Sequence, residues 1–510
     1  MDESEAPPRL GLAMLLLAIL VAAACAIVYE LLIGSTSSYF LGDSVEQFSL
    51  TIGFFLFAMG VGAWLSRLVK DKLLQRFIQL ELWLGLVGGS AVGCLYALYA
   101  YTDQFRYGML LLIVLIGSLI GLEVPLLTRI LRQHGSLRTA LSSVLSMDYF
   151  GSLFAALLFP YILMPFLGAM HTSVLTGLLN WVVGIVVLLV FRHQLSPRSW
   201  RLLCIQGGGI GVALFALLYF SAPLVDRWES ALYEDVVVYE EQSPYQKIVM
   251  TSRGEQVRLY LNGHLQFASI DEYRYHEALV HPAMVLAKNR RRVLIIGGGD
   301  GLTAREVLKY SEVNTLDLVD LDPAITRLAL RNPHLTRLNE NALSKQQVEV
   351  KNVDGFLFLQ EEHPAYDVII FDLPDPREES LTKLYSREGY KLAQRLLSPG
   401  GVVVTQATSP YYARQAYWCI GRTMEAAGFE TLSYHLNVPS FGEWGFHIGS
   451  LGPIEPELVR FVVDQRYLDE SVWLAMQIFS LDMERIDSEI NELDKPVLAR
   501  YYRRGWNEWF

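Results

Sequence analysis

The strongest constraint on this chain is the uneven placement of its apolar residues. Seven mostly apolar runs fill the first part: 10–33, 46–66, 78–101, 108–128, 146–168, 171–191 and 202–220. Each approaches the roughly 20 residues needed to cross a hydrocarbon layer. After about Pro223 the composition becomes that of an ordinary globular protein. The asymmetry shows in the totals. Of 510 residues, 52% are hydrophobic and 19% charged, against about 25% charged in a typical soluble chain. A polytopic helical membrane domain followed by a globular one is the organisation this predicts.

The loops between the runs alternate in charge. Arg67, Lys70, Lys72 and Arg76 follow the second run, Arg129, Arg132 and Arg138 the fourth, and Arg192, Arg198 and Arg201 the sixth. The excess of positive charge on cytoplasmic loops places these three, and the N-terminus, on the inner side of a cell membrane. Seven full crossings then put the C-terminal half outside; six and a re-entrant segment put it inside. Both arrangements stay open, because the run 202–220 is short and glycine-rich (Gly207-Gly208-Gly209, Gly211). The acidic start MDESEAPPRL does not read as a cleavable leader. Glu30, Glu123 and Asp148 lie in or beside the runs. They would form a path or site for an organic cation, or else lie at the interface or pair with a neighbouring helix. The small-residue stretches Gly60–Gly62 and Gly85–Gly93 suit close helix packing.

Other readings are excluded or weakened by charge and cysteine usage. A net charge of −11 argues against a nucleic-acid partner and fits a cationic substrate. Cys25, Cys94, Cys204 and Cys419 show no pairing or metal-ligand spacing. His276-Glu277 and His281 do not have the spacing of a zinc-binding helix.

The second half divides further. Short alternating runs at 236–239, 247–250 and 257–261, with turns at Ser252-Arg253-Gly254 and Asn262-Gly263, read as a small antiparallel β unit. Strands at Arg292–Ile296, Thr315–Val319, Val348–Val353, Tyr366–Phe371 and Gly401–Thr405 then alternate with helices. That pattern predicts a doubly wound, methyltransferase-like parallel sheet, with ligands beyond the carboxyl ends of its strands. Asp300, Asp320, Asp354 and Asp372 fall just past four successive strands. The first turn is Gly297-Gly298-Gly299-Asp300-Gly301, and Asp320 follows about 20 residues later, as a ribose-binding carboxylate would. A carboxylate inside the turn would repel a pyrophosphate, so a cationic adenosyl sulfonium fits better than a dinucleotide. Phe371-Asp372-Leu373-Pro374-Asp375-Pro376 sets two carboxylates on one loop, able to hold a diamine and to take a proton from it. The expected divisions are a transmembrane domain 1–222, a β unit 223–274, a catalytic domain 275–455 and a helical tail 456–510.

Together these residues resemble the spermidine/spermine synthase family, in its membrane-fused bacterial form. The resemblance is carried by Tyr245-Gln246, Leu261-Asn262-Gly263, Gln266, Asp271-Glu272, Tyr275-His276-Glu277, His281, Gly297–Leu302 and Arg305-Glu306-Val307-Leu308. It continues through Asp320, Asp354-Gly355, Asp372/Asp375, Leu384-Tyr385-Ser386 and Gln406, with Tyr29-Glu30-Leu31 and Tyr501-Tyr502 similar to the membrane subgroup. It implies transfer of the aminopropyl group of decarboxylated S-adenosylmethionine, a co-substrate, to putrescine or a similar small-molecule amine. Spermidine and methylthioadenosine would result, with no tightly bound cofactor and no metal. By the same resemblance Asp372 is the proton acceptor. His276, Asp300 and Asp375 hold amino groups, with Tyr275 and Tyr385 in the substrate set. Gln246, Gly297, Gly299, Asp320, Asp354 and Gly355 hold the adenosyl part. The implied setting is multi-pass in the inner membrane, with the lipid bilayer as partner, no nucleic acid, and homo-oligomer formation left open.

Three positions depart from the family pattern: Leu302 for the last glycine of the turn, Asn262 for an aspartate, and Arg377-Glu378-Glu379 for a Gly-Pro after the paired aspartates. The last bears on which amine is accepted. Two other functions compete. A methyltransferase of the same fold is disfavoured by Asp300 and Asp372/Asp375, because S-adenosylmethionine would bring its own carboxylate there. A membrane transporter or sensor of polyamines would use the soluble part only for binding.

Overall fold

The computed structural model describes residues 9–41, 44–102, 104–132, 136–233, 235–377 and 379–509. The chain forms two compact units, Met1–Glu234 and Asp235–Phe510.

The first unit is helical: α1 Arg9–Leu41, α2 Ser44–Leu65, α3 Leu73–Tyr101, α4 Phe105–Arg132, α5 Leu137–Leu158, α6 Met164–Val190 and α7 Pro197–Leu232. Among the described residues, six helical stretches are long and apolar enough to cross a membrane. One of them, Leu137–Val190, has 54 residues and would measure about 80 Å if straight, far beyond a hydrocarbon layer of about 30 Å. It is not straight. A π-helical turn at Phe159–Leu163 links α5 to α6, and the helix breaks at Gly168, whose φ of 70° and ψ of 175° are non-helical. Thr172 reaches back over the break to the Leu163 carbonyl at 3.2 Å. The fifth and sixth apolar runs are therefore two legs of one stretch. The run 202–220, doubtful from its glycines, lies inside the 36-residue α7. That helix also runs past Pro223, into the segment expected to begin the β unit. The residues after Pro223 (LVDRWESAL) contain no glycine, and α7 continues through them to Leu232.

Bare glycines let these helices touch. A Cβ on Gly121 would lie 2.1 Å from the Met59 carbonyl, and one on Gly177 2.4 Å from that of Gly85. Gly62, Gly85, Gly88 and Gly89 serve the packing expected of their stretches, whereas Gly60 faces open space. The outward surface is apolar, with Phe57, Tyr161, Phe166, Ile205 and Val212 all more than half exposed. In water such a surface would drive association.

The second unit begins with an antiparallel sheet in the order β1 (Val236–Gln242), β2 (Lys247–Arg253), β3 (Gln256–Leu261), β4 (His264–Ala268). Asn262 closes its last turn with a φ of 51°, and its Oδ1 accepts the Lys247 amide at 2.9 Å. Asparagine tolerates that left-handed conformation better than most residues. Helix α8 (Glu272–Leu286) leads into the main sheet: β5 Arg292–Gly297, β6 Thr315–Val319, β7 Val348–Lys351, β8 Tyr366–Asp372, β9 Leu397–Gln406, β10 Glu430–Val438 and β11 Gly442–Ser450. Its order is β10-β11-β9-β8-β5-β6-β7. The five expected strands are parallel, while β10 and β11 add an antiparallel edge. Strand order reverses between β5 and β8, where chains leaving toward opposite faces open a crevice.

The tail 456–510 is mostly irregular. It holds the helices Glu470–Ala475 and Leu498–Asn507, a three-residue 3-10 turn, and long irregular pieces with turns between them. The helical segment expected there is thus confined to those short stretches. Too little of the tail repeats apolar residues at helical spacing, and it gains its order by docking.

Candidate active site

Three peptide segments converge at the β5/β8 crevice. Gly297 on β5 pairs in register with Asp372 on β8. The glycine turn then folds back, with the Gly298 amide donating to the Asp372 carbonyl at 2.9 Å. This approach requires glycine: φ is 86° at Gly297, and a Cβ there would stand 2.0 Å from the Asp372 carbonyl oxygen. Helix α9 (Leu302–Val307) starts directly behind the turn. Leu302, which departs from the family glycine, is wholly buried in the core.

Both carboxylate oxygens of Asp372 are held. Tyr275 Oη donates to Oδ1 at 2.8 Å, and Thr303 Oγ1 to Oδ2 at 2.5 Å. Tyr275 stands on α8 and Thr303 in the first turn of α9, so three elements fix one carboxylate. Burial and the neighbouring Asp372 charge raise the Tyr275 hydroxyl well above the usual phenol range, which keeps it a donor. Thr303 was not singled out from sequence, although its place three residues after Asp300 puts it on the same side of the turn.

A ring of charge surrounds this carboxylate. Asp300 accepts the Leu302 amide at 2.9 Å, a local turn, and still acts electrostatically on His276 and Asp372. Burial pushes Asp300 up to about 6, against the pull of His276. His276 lies buried on α8. Burial alone would lower it, but the Glu272 carboxylate, 2.8 Å from Nδ1, and the charges of Asp300 and Asp372 raise it to about 9. At neutral pH its ring is therefore a cation. A charged imidazole can only donate, so the hydrogen-bond acceptor that an ammonium needs has to come from the carboxylates. Glu272 is in turn gripped by Arg305, at 2.9 Å to each oxygen.

On the other side of the glycine turn, Asp320 accepts the Gly299 amide at 3.1 Å and the Asp322 amide at 2.9 Å. Burial pushes it up to about 7. A Cβ on Gly299 would meet this carboxylate at 2.5 Å. Gln246 Nε2 donates to Asp322 Oδ2 at 3.0 Å, and Ser243 to the same oxygen at 2.6 Å. The β unit is thereby tied to the end of β6 through Asp322. Sequence reading passed over this residue, although Asp-Pro before a helix is a capping signature.

Asp354 caps the helix Gly355–Gln360 through the Phe356 and Leu357 amides and pairs with Lys383 at 2.5 Å. Burial opposes its ionisation, and Lys383 with the amides outweighs that, so its pKa falls below the usual range. Gly355 lets that helix close on Ile296. Tyr385 is fully buried; its hydroxyl donates to the Pro374 carbonyl at 3.2 Å and accepts from Gln406 at 2.5 Å. It thus holds the Leu373–Asp375 loop. Asp375 sits on that loop with one oxygen bonded to Tyr502 at 2.7 Å. Burial raises its pKa, partly offset by Arg377. Tyr502 lies 127 residues further along, beyond any local signal. Glu378, in the same departure from the family pattern, lies outside the described residues.

In the helical unit the acidic residues differ in burial. Glu81, not singled out from sequence, is buried, and Asn180 bridges it to Tyr29 at 2.8 and 2.9 Å. Glu123 is buried near it, while Glu30 and Asp148 are only partly covered.

Residues 272–454 match the spermine/spermidine synthase domain. A polyamine aminopropyltransferase of Leptospira interrogans is 43% identical over 97% of this chain and 98% of its own. Polyamine aminopropyltransferase 1 of Ralstonia nicotianae is 44% identical over 99% and 98%. A polyamine aminopropyltransferase of Oceanobacillus iheyensis is 41% identical over 95% and 96%. Among solved structures, a spermidine synthase in complex with the transition-state analogue AdoDATO superposes at a TM-score of 0.45 with 28% identity, over 48% of this chain and 86% of that one. The near-full-length relatives show that this chain belongs to the spermine/spermidine synthase family and is an aminopropyltransferase.

Proposed function

We propose that the β5/β8 crevice transfers the aminopropyl group of decarboxylated S-adenosylmethionine to a diamine such as putrescine, with Asp372 taking the proton of the attacking nitrogen. The observation that carries this reading is the fixed Asp372 carboxylate, flanked by Asp300 and Asp375 and facing the glycine turn, whose Gly299 amide is held by Asp320. Asp320 and the Gly299 backbone take the ribose side of the co-substrate. Asp300 meets its ammonium. The acceptor lies between Asp372 and Asp375.

An ammonium has no lone pair, so the acceptor must lose a proton before or as it attacks. The nitrogen then forms a bond to the aminopropyl carbon. The carbon–sulfur bond breaks, its electron pair passes to the sulfonium, and neutral methylthioadenosine leaves. Holding the two reactants in line supplies much of the acceleration. Purified protein given decarboxylated S-adenosylmethionine and putrescine should release methylthioadenosine; failure with every amine tried would overturn the assignment.

Protons compete for the groups assigned to the co-substrate: on Asp300 near pH 6, on Asp320 near 7, and on His276 up to about 9. A cation binds best to ionised carboxylates and an uncharged imidazole. Co-substrate affinity should therefore rise from pH 6 to 9, with protons released on binding. Calorimetry at pH 7 in buffers of different ionisation enthalpy measures that release directly. A pH-independent affinity with no proton release would contradict the electrostatic picture.

The helical unit is proposed as a multi-pass anchor in the cell membrane. Its six apolar stretches, its exposed apolar surface and the three basic loops support this. The protein should stay in the membrane pellet after alkaline carbonate washing; release into the supernatant would refute it.

A further inference from the structure

The end of the crevice away from Asp372 carries a cation of the protein's own. Asp375 Oδ2 accepts from Tyr502 at 2.7 Å and lies 3.8 Å from Arg377 Nη2. Its other oxygen, Oδ1, is buried without a hydrogen bond, although Thr408 and Gln406 lie close enough to act on the carboxylate. The Arg377 guanidinium stacks over the Tyr502 ring, 5.4 Å from its centroid, and touches His264 Nδ1. The Arg377 side chain is 34% exposed and that of Asp375 10%, so the guanidinium stands on the solvent side of the carboxylate. Arg377 occupies the stretch that departs from the family's Gly-Pro. Tyr502 lies outside the 272–454 family domain.

We propose that Arg377, held against Tyr502, restricts the acceptor to diamines by placing a fixed positive charge just beyond the subsite for the second ammonium. This rests on the reading that the acceptor spans Asp372 to Asp375. A diamine presents its neutral nitrogen to Asp372 and its remaining ammonium to Asp375 Oδ1. A triamine would carry one more ammonium past Asp375, toward the guanidinium. Two like charges about 5 Å apart at a partly exposed position disfavour binding by one to two powers of ten. His264 adds no charge of its own, because burial and Arg377 push it down to about 3. Tyr502 is a positioning residue: it fixes Oδ2 and, through its stacked ring, the guanidinium.

The test uses the full chain in detergent or nanodiscs, saturating decarboxylated S-adenosylmethionine, and methylthioadenosine release with putrescine, cadaverine and spermidine. The wild type should use the diamines and discriminate strongly against spermidine. Arg377→Ala should raise kcat/KM for spermidine relative to putrescine at least tenfold, whereas Arg377→Lys, which keeps the charge, should retain the discrimination. Tyr502→Phe should raise KM for putrescine about fivefold with little change in kcat or in KM for the co-substrate. The proposal fails if Arg377→Ala leaves the spermidine-to-putrescine ratio within twofold of wild type, or if the lysine variant opens the site as far as alanine does. An unmoved putrescine KM in Tyr502→Phe would remove Tyr502 from it. Release of no methylthioadenosine with any amine would instead refute the underlying reading of the site.

Discussion

Asp372→Asn should lower turnover about a thousandfold, within the range that positioned proton transfer contributes, while co-substrate affinity changes by less than about threefold. The asparagine has the same shape and still offers the Tyr275 and Thr303 hydroxyls polar partners, so the crevice should keep its form. It cannot take up a proton at working pH. The variant should therefore depend on amine that is already neutral, and its rate should climb about tenfold per pH unit up to the ordinary range of a primary amine. Single-turnover release of methylthioadenosine from pH 7 to 10, beside calorimetric binding, separates the two effects. Near-normal turnover at pH 8 would show that proton removal is not the work of Asp372.

Glu277→Ala should destabilise the soluble unit by about 3 kcal/mol, because a buried carboxylate and the hydrogen bonds to it are lost together. Glu277 belongs to the Tyr275-His276-Glu277 series, but its side chain turns away from the crevice. Its oxygens accept the backbone amides of Arg466, Tyr467 and Leu468 at 2.7, 2.9 and 3.0 Å. Removing it orphans three donors and frees the tail. A loss of that size corresponds to roughly 6–12 °C in a unit this large, read as the first transition in a thermal scan of the full chain. Glu277→Gln should be nearly as harmful, since its amide group would face an N–H instead of accepting one. Early proteolytic cleavage between residues 455 and 470 would show that the tail is what comes loose. A melting temperature unchanged within about 2 °C would refute this role.

How far the sequence could be read depended on the range of each interaction. The apolar runs and the β/α alternation are periodic and local, so the helices and the five parallel strands were legible. So was the row of aspartates at the strand ends, because register in a parallel sheet places Gly297 opposite Asp372. What could not be read depends on folding over distance. Tyr502 and Glu277 gain their roles from partners 127 and about 190 residues away. The sequence offers His276 as an amine-binding ring but does not show its pairing with Glu272, one turn earlier on the same helix. Glu81 escaped notice within a long apolar run, and only its bridge to Asn180 and Tyr29 shows its place among α1, α3 and α6.

The docked tail has a consequence in time. Chains emerge from the ribosome N-terminus first, at roughly 5–20 residues per second. The strands, the glycine turn and Asp372 can assemble while the last residues are still unmade. Asp375 cannot acquire the Tyr502 hydrogen bond, nor Glu277 its three amides, until synthesis has passed those positions. On the proposed assignment of the site, a nascent chain can form the co-substrate pocket while its amine end is still open, and selectivity arrives as the last step of biogenesis.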